Sequence, residues 1–470
     1  MTIIKRPRGT RDFLPEEMRK RSQARKAMQE VLCRWGYQEV ATPTFEHLEL
    51  FTEKSGASVI DEIYSFQDKG GRDLALRPEL TAPVMRMFVS ELQNSPKPLR
   101  LYYFGNCFRY ERPQKGRFRE FWQLGAELIG GARPDSEAEA IALADQLIRS
   151  VGIRGDIHLG YLGLIRAILE RIEGDKRAAA MRMIDKKERS ALEELLEDLD
   201  QGDLGLLELI DLKGKAALDK ALEIAGDLLL TETQEASARS VGPKASSEPK
   251  MQSEGRGSAR NGRAVTSQLH LEEFQETVDL LGAYGVDFQI DFEIVRGLDY
   301  YSGTVFEIYA EGLGAQRQIC GGGTYELSSL FGGKETSSTG FGLGFDRIME
   351  IAHIKEERTP PVFLVYTPDV KVDAARIAVS LRRSVPTVLD VMGRSMGAQL
   401  KAASGAGAQH AVIVGREELD SGRLILRDMS GGEQETLTLE EIVERLRKVA
   451  GPCSECQSTS PDSAGELGRM

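Results

Sequence analysis

The period of apolar positions changes along this chain, and each change marks a different kind of element. Pro15 to Trp35 is rich in Glu, Arg, Met, Ala and Gln, with a proline near its start and Gly36 at its end, which predicts a helix. Tyr37 to Thr42 predicts a short strand closed by Pro43, and Leu74 to Leu76 another. Leu101 to Arg109 and Phe121 to Ile129 are aromatic and apolar runs joined by a charged loop, the pattern of an antiparallel hairpin. Ser136 to Ser150 predicts a helix, and Leu164 to Leu230 a charged helical region with an acidic stretch at Leu192 to Asp203. Strand patterns resume at Asp287 to Val295 and Thr304 to Tyr309, followed by a helix from Phe345 to Ile354.

A linker, Lys355 to Arg358 and then Thr359-Pro360-Pro361, separates a region of different pattern. There the apolar runs Val362–Tyr366, Thr387–Val391, Ala411–Val414 and Leu424–Leu426 alternate with helical stretches near 372–383, 394–404 and 438–449. This predicts a small α/β domain with a mixed, mostly buried sheet. Residues 231–268 are full of Ser, Gly, Arg, Glu and Pro and hold no aromatic residue. They cannot bury enough apolar surface to offset their ordering entropy and are expected to be disordered, as is the tail after Gly451. The expected fold class is therefore α/β. A main domain over 1–165 and 269–355 has a mixed, mostly antiparallel sheet flanked by helices. A helical insertion over 166–268 interrupts it, and an α/β domain over 360–450 and a tail over 451–470 follow.

Composition narrows the class without choosing a function. With 470 residues, and a prior of about 150 per domain, roughly three domains fit. There is no run of about 18 apolar residues that would predict a membrane span. Met1 to Phe13 lacks the apolar core of a secretory signal. The five cysteines are scattered, which points to reduced thiols and a cytoplasmic protein. Cys453 and Cys456 form a C-x-x-C with no second pair and no histidine nearby, so they read as tail, and no resident metal is expected. A net charge of −12 argues against a protein that coats nucleic acid, but leaves room for local basic patches.

The predicted hairpin carries the densest chemistry. Period two places Arg109 and Glu111 on one face of the outgoing strand, and Gln123, Gly125 and Glu127 on one face of the returning strand. If those faces coincide, one surface holds a cation, two carboxylates and an amide, with Gly125 leaving room for a flat ligand. Arg109 could bind a phosphate bidentately, and the loop residues Arg112, Lys115, Arg117 and Arg119 suit a polyanion. Taken alone, the segment reads first as a solvated hairpin of paired charges, a reading weakened by the aromatic strands that carry those charges. Gly340, Gly342 and Gly344 clear one face of a further strand for a nucleotide, and Arg347 follows at a helix start. Their spacing is not the G-x-G-x-x-G of a dinucleotide loop. In Leu76-Arg77-Pro78-Glu79-Leu80-Thr81-Ala82-Pro83, Thr81 is expected to cap a helix and to hold Glu79 just ahead of it. Cys320-Gly321-Gly322-Gly323-Thr324-Tyr325-Glu326 by itself reads as a glycine turn.

Three of these segments resemble, in order, the motifs of class II aminoacyl-tRNA synthetases. The first helix with Gly36-Tyr37 and Pro43 resembles motif 1. Arg109, the loop to Arg119, Phe121 and Glu127 resemble motif 2. Gly340 to Arg347 resembles motif 3. Val295-Arg296-Gly297-Leu298-Asp299-Tyr300-Tyr301-Ser302-Gly303-Thr304 resembles the motif specific to the histidine enzymes of that class. Residues 320–326 resemble their second motif, with Thr324 where the family has Arg and Glu326 where it has Asp. The opening Arg8 to Pro15 matches too, so the resemblance runs over nearly 1–450 outside 231–268. It implies activation of L-histidine by ATP with Mg2+, transfer to the 3′ end of tRNA(His), a homodimer built on motif 1, and no membrane association. It also implies roles. Glu79, Leu80, Thr81, Gln123, Glu127, Tyr300, Tyr301 and Tyr325 meet histidine, Glu79 through its α-ammonium. Arg109, Glu111 and Arg347 hold ATP, and Arg296 acts on the α-phosphate and the attacking carboxylate. Gln114 and Arg117 contact the acceptor end, and the 360–450 domain binds the anticodon; Arg394 and Lys401 are candidate RNA contacts there, although charges on a helix surface are more often simply solvated. Regulatory paralogues that bind histidine without catalysis share the main domain; they typically lack the final domain and parts of the Arg296 motif, both present here.

Overall fold

The computed structural model describes residues 3–55, 57–110, 118–170, 172, 174–197, 205–226, 271–295, 301–314, 317–355 and 360–450. Glu111, Gln114, Arg117, Arg296, Tyr300, the 231–268 stretch and the Cys453/Cys456 pair lie outside the described residues. The chain divides into two compact units, 1–355 and 356–470.

In the first unit the strands are β1 (Gln38–Glu39), β2 (Phe45–His47), β3 (Ser65–Gln67), β4 (Asp73–Leu76), β5 (Leu99–Phe108), β6 (Glu120–Ile129), β7 (Asp156–Tyr161), β8 (Gln289–Ile290), β9 (Tyr301–Tyr309), β10 (Gln318–Tyr325) and β11 (Ser338–Gly344). The main sheet runs β1-β5-β6-β11-β10-β9-β7-β8, antiparallel except for the pairs β1–β5 and β7–β8 at its two edges. A small antiparallel sheet, β2-β4-β3, stands apart from it. The expected antiparallel hairpin is β5–β6, and its register pairs Tyr103 with Gly125 and Gly105 with Gln123. Directly paired residues share a face. The odd positions of both strands, Arg109, Gln123, Gly125 and Glu127 among them, therefore lie on one surface.

The helix Asp135–Arg149 is buried along most of its length. Its small residues Ala138, Ala140, Ala142 and Ala144 allow close approach, and their exposures of 0–2% place them inside the main core. Helices Leu162–Leu169, Gly174–Asp185, Arg189–Glu197 and Leu206–Asp211, with 214–226, fill the region where a charged helical segment was expected.

Several elements differ from expectation. Asp287 to Val295 forms a strand only at Gln289–Ile290, because the Asp291 carboxylate accepts the Glu293 N–H at 3.0 Å and turns the chain. The glycine-rich 320–326 segment is the interior strand β10, paired on both sides, and not a turn. A Cβ on Gly322 would lie 2.3 Å from the Gly340 carbonyl oxygen and 2.6 Å from Phe341, so glycine there lets aromatic side chains cover the strand. The helix after motif 3 stops at Ile351.

The second unit has β12 (Val362–Tyr366), β13 (Thr387–Leu389), β14 (His410–Val414), β15 (Leu424–Asp428) and β16 (Gln434–Leu437) in the order β13-β12-β14-β15-β16. The first three are parallel and the last two antiparallel. β16, exposed and polar, carries too little apolar pattern to be read in advance. Helices Lys371–Arg382 and Leu439–Ala450 pack on this sheet through Leu381, Ile442 and Leu446.

One buried ion cluster ties sequence-distant parts of the first unit. Asp346 accepts Arg21 at 2.7 Å and the Trp122 N–H at 2.6 Å, and pairs with Arg11 at 2.8 Å. The Arg21 guanidinium also lies over the Phe13 and Phe345 rings. Removing the shared anion leaves buried cations uncompensated, which costs about 3–5 kcal/mol. Asp346→Ala is expected to lose stability on that scale, read as a fall in the urea midpoint at unchanged m-value. A midpoint within error of the parent would exclude the cluster as a major tie.

Candidate active site

The surface shared by the odd residues of β5 and β6 continues across the sheet. β11 adds Gly340 opposite Glu127 and Gly342 opposite Gly125, and β10 adds Gly321, Gly323 and Tyr325. The glycines are required by what stands beside them. A Cβ at Gly340 would fall 1.6 Å from Glu127 Oε2, one at Gly342 2.2 Å from Gln123 Nε2, and one at Gly125 2.3 Å from Tyr103 Oη. Each glycine thus makes room for a polar side chain reaching from the neighbouring strand.

Glu127 is the centre of one end of this surface. It is fully buried and accepts Tyr103 Oη at 3.1 Å and Tyr325 Oη at 2.5 Å. Tyr103 Oη lies 3.4 Å from Thr81 Oγ1. Tyr301 sits beside Tyr325 with ring centroids 6.3 Å apart. Burial pushes the Glu127 carboxyl up to about 7, against the pull of hydrogen bonds from Tyr325, Thr81 and Tyr103, and nearby Glu79 adds to the rise. The same burial raises the Tyr103 hydroxyl well above its usual range, so it stays a donor. A buried carboxyl whose partners among the described residues are hydroxyls is poised for a cationic ligand.

Glu79 corrects one expectation. The helix begins at Thr81, and its cap is the Glu79 carboxylate, which accepts the Thr81 N–H at 2.6 Å and the Ala82 N–H at 3.0 Å. Thr81 is not the cap, which frees its hydroxyl to meet Tyr103. Leu80 is a core residue, 2% exposed. Arg77, also buried, fixes this turn to β5 by donating to the carbonyls of Asn106 and Thr42 at 2.8 and 2.7 Å.

At the other end lies a cavity of about 210 Å3 lined by Arg109, Phe121, Gln123, Gly342, Gly344 and Arg347. Arg109 Nε donates to the Pro78 carbonyl at 3.1 Å, and its guanidinium lies 5.3 Å from the Phe121 ring centre. Arg347 donates to the Gln318 carbonyl at 2.5 Å. Two cations, an aromatic face and a glycine floor suit a nucleotide with its phosphates. The structure therefore brings Glu79, Thr81, Glu127, Tyr301 and Tyr325 together at one end of the surface, and Arg109, Gln123 and Arg347 to the cavity at the other. Tyr103, Arg77 and Phe121 were not among the expected site residues. Extending the alternation back from Arg109 along β5 reaches Tyr103 and is the pattern that could have found it.

Thr324 and Glu326, the two departures from the family pattern, have separate surroundings. Thr324 points to the rear of the sheet, where its hydroxyl donates to Glu137 at 2.7 Å. Glu326 lies 3.8 Å from Arg133, and burial with the adjacent Glu335 raises its carboxyl above the usual range.

Residues 9–348 match the family model described as histidyl-tRNA synthetase, and 362–449 that of an anticodon binding domain. The chain belongs to the histidyl-tRNA synthetase family. It is 50% identical to the histidine–tRNA ligase of Methanosarcina acetivorans over 94% of this chain and 98% of that one. It is 46% identical to that of Archaeoglobus fulgidus over 94% and 100%. The fold is also that of the crystallised histidyl-tRNA synthetase from Nostoc, with a TM-score of 0.71 at 21% identity, covering 96% of this chain and all of that one.

The Glu127 proton gives a signed pH dependence. Between the ordinary carboxyl value of 4.5 and about 7, the folded unliganded protein holds a proton that the unfolded chain releases. This group's stabilising contribution is complete below the lower value and is lost as pH rises through the upper one. An α-ammonium favours the ionised form, so affinity for an amino acid should rise with pH through about 7, by at most about tenfold per unit. Histidine titrations of the parent and Glu127→Gln across that range should diverge, since ionisation of the ligand is common to both. Parallel curves would show that Glu127 has no proton to lose.

Proposed function

We propose that this chain activates L-histidine with ATP and transfers it to tRNA(His), and that the surface just described is where both reactants meet. The observation that carries the reading is a buried carboxyl with hydroxyl partners set on the same glycine-cleared sheet face as a cation-lined cavity. The histidine carboxylate oxygen bonds to the α-phosphorus of ATP as the bond to the β-phosphate oxygen breaks, releasing pyrophosphate. A hydroxyl of the 3′-terminal ribose then attacks the acyl carbon, and AMP leaves.

Glu79 and Glu127 receive the α-ammonium, and Gln123, Thr81, Tyr300, Tyr301 and Tyr325 complete the pocket. Tyr103 joins them by its bond to Glu127. Arg109 and Arg347 hold ATP, with Glu111 at the adenine side. Arg296 supplies positive charge at the α-phosphate. In-line displacement needs positioning and electrostatic stabilisation above all, which fixed guanidinium groups provide. The cavity's donors are cations and amides, and Asp346 in its wall is already paired with Arg11 and Arg21. Mg2+ would therefore arrive with ATP and would screen the charge of its phosphates.

Residues 1–165 with 269–355 form the catalytic domain, and 166–268 its insertion. The 360–450 domain binds the anticodon, with Arg394 and Lys401 as candidate contacts, and Gln114 and Arg117 meet the acceptor end. The assembly is a homodimer built around the Pro15–Arg34 helix, working in the cytoplasm.

Pyrophosphate exchange into ATP, offered each standard amino acid without tRNA, tests the reading; exchange with histidine alone is expected. Histidine binding without exchange would instead identify a regulator that has lost catalysis. Arg296→Ala should reduce exchange by about 10²-fold or more while histidine affinity stays within about threefold. Retained exchange in that variant would remove Arg296 from its role.

A further inference from the structure

Behind the pocket, on the opposite face of the sheet, lies a second buried carboxylate. Glu137, 2% exposed in the first turn of the Asp135–Arg149 helix, gathers donors from three elements. It accepts Thr304 Oγ1 at 2.5 Å and the Thr304 N–H at 3.3 Å from β9, and Thr324 Oγ1 at 2.7 Å from β10. Thr277 Oγ1, from the Leu271–Tyr284 helix, donates at 3.1 Å. Arg133, one turn before it, approaches Glu137 at 4.0 Å and donates to Ser302 Oγ at 2.8 Å. Gly303 completes the fit, since a Cβ there would lie 2.8 Å from Glu137 Oε1 and 3.3 Å from Arg133.

These contacts fall where strand pairing alone is weakest. The register between β9 and β10 shifts between Gly323 and Tyr325, and beyond that shift Tyr325 pairs with Tyr301. A bulge leaves a strand end free to slip unless something else holds it. Thr304 and Ser302 on β9 and Thr324 on β10 are held from behind by Glu137 and Arg133. On the front face, Tyr325 bonds Glu127 and Tyr301 lies against Tyr325.

We infer that Glu137 is a positioning residue for the histidine pocket, clamping β9 to β10 across their register shift so that Tyr301 and Tyr325 stand correctly beside Glu127. The inference rests on the reading of that pocket as the histidine site. Glu137 holds β10 at Thr324, beside Tyr325, and not at the Gln318–Gly321 end that lines the cavity, so its loss should be felt by histidine and not by ATP.

The test compares Glu137→Gln, Thr304→Val and Thr304→Ser in the full chain, by histidine-dependent pyrophosphate exchange and by melting temperature. Glu137→Gln and Thr304→Val are expected to raise KM for histidine about tenfold. KM for ATP should stay within about twofold, and Thr304→Ser, which keeps the hydroxyl, should behave like the parent. Equal changes in both KM values, parental KM values with only a lower melting temperature, or loss of the fold in Thr304→Val would place Glu137 in general stability and overturn the inference. The histidine dependence is also read by direct titration, which needs no catalysis. Absence of exchange in the unsubstituted chain therefore counts against the proposed reaction, while an unchanged histidine affinity in Thr304→Val counts against the clamp.

Discussion

A buried carboxyl whose partners among the described residues are hydroxyl groups is the constraint around which this sheet is built. Glu127 lies near the end of β6 with no exposed surface, and hydroxyls of Tyr103, Tyr325 and Thr81 bond it. Burying an ionised carboxylate that way is costly, so burial shifts Glu127 toward its protonated form. An arriving ammonium reverses the balance: it makes the ionised form the favoured one and turns the desolvation already suffered into binding. The neighbouring glycines follow from the same constraint. Gly340 has no side chain because Glu127 needs the space, and Gly125 has none because Tyr103 must pass over it to reach that carboxyl.

A pocket open on its front must be held from other directions, and two further acidic residues do this. Asp346 stands directly before Arg347 and accepts the Trp122 backbone, next to Gln123, so it locks the start of one helix to the strand that supplies the amide. Arg11 and Arg21 bring the chain's first segment into that lock. Glu137 acts on the rear. Glu137 thus holds the frame from behind, while Asp346, in the cavity wall, is taken up by Arg11, Arg21 and the Trp122 N–H.

The β5–β6 hairpin, its period-two faces and the meeting of Arg109, Gln123 and Glu127 were legible because an antiparallel pair with an aromatic pattern fixes its own register. The three parallel strands of the second unit were legible as apolar runs. Other features depended on partners far away in the chain. Cys320 to Tyr325 has the composition of a turn, and only the strands on both sides and the aromatic residues that cover its glycines make it a strand. Thr81 has the chemistry of a helix cap, but the helix already includes it, and its own N–H and that of Ala82 are taken by Glu79 from before the helix. Thr324 stands where the resemblance implies an arginine. Its meaning depends on Glu137, which lies 187 positions away in sequence.

The glycines raise a question of stability that the rest of the first unit answers. A glycine inside a strand is less stable than alanine by about 0.5–1 kcal/mol. Gly105, Gly125, Gly321, Gly323, Gly340 and Gly342 concentrate that cost in the central strands, where a sheet is ordinarily strongest. What compensates lies on the rear face. There Phe306 and Phe341 pack against each other, Phe104 stacks with Trp122 and meets Phe345 edge-on, and the Asp135–Arg149 helix is buried along most of its length. Full burial of such side chains contributes about 1.5–3 kcal/mol each. The sheet is therefore asymmetric by necessity: one face is stripped so that ligands can approach the backbone, and the other carries the packing that keeps the stripped face in place.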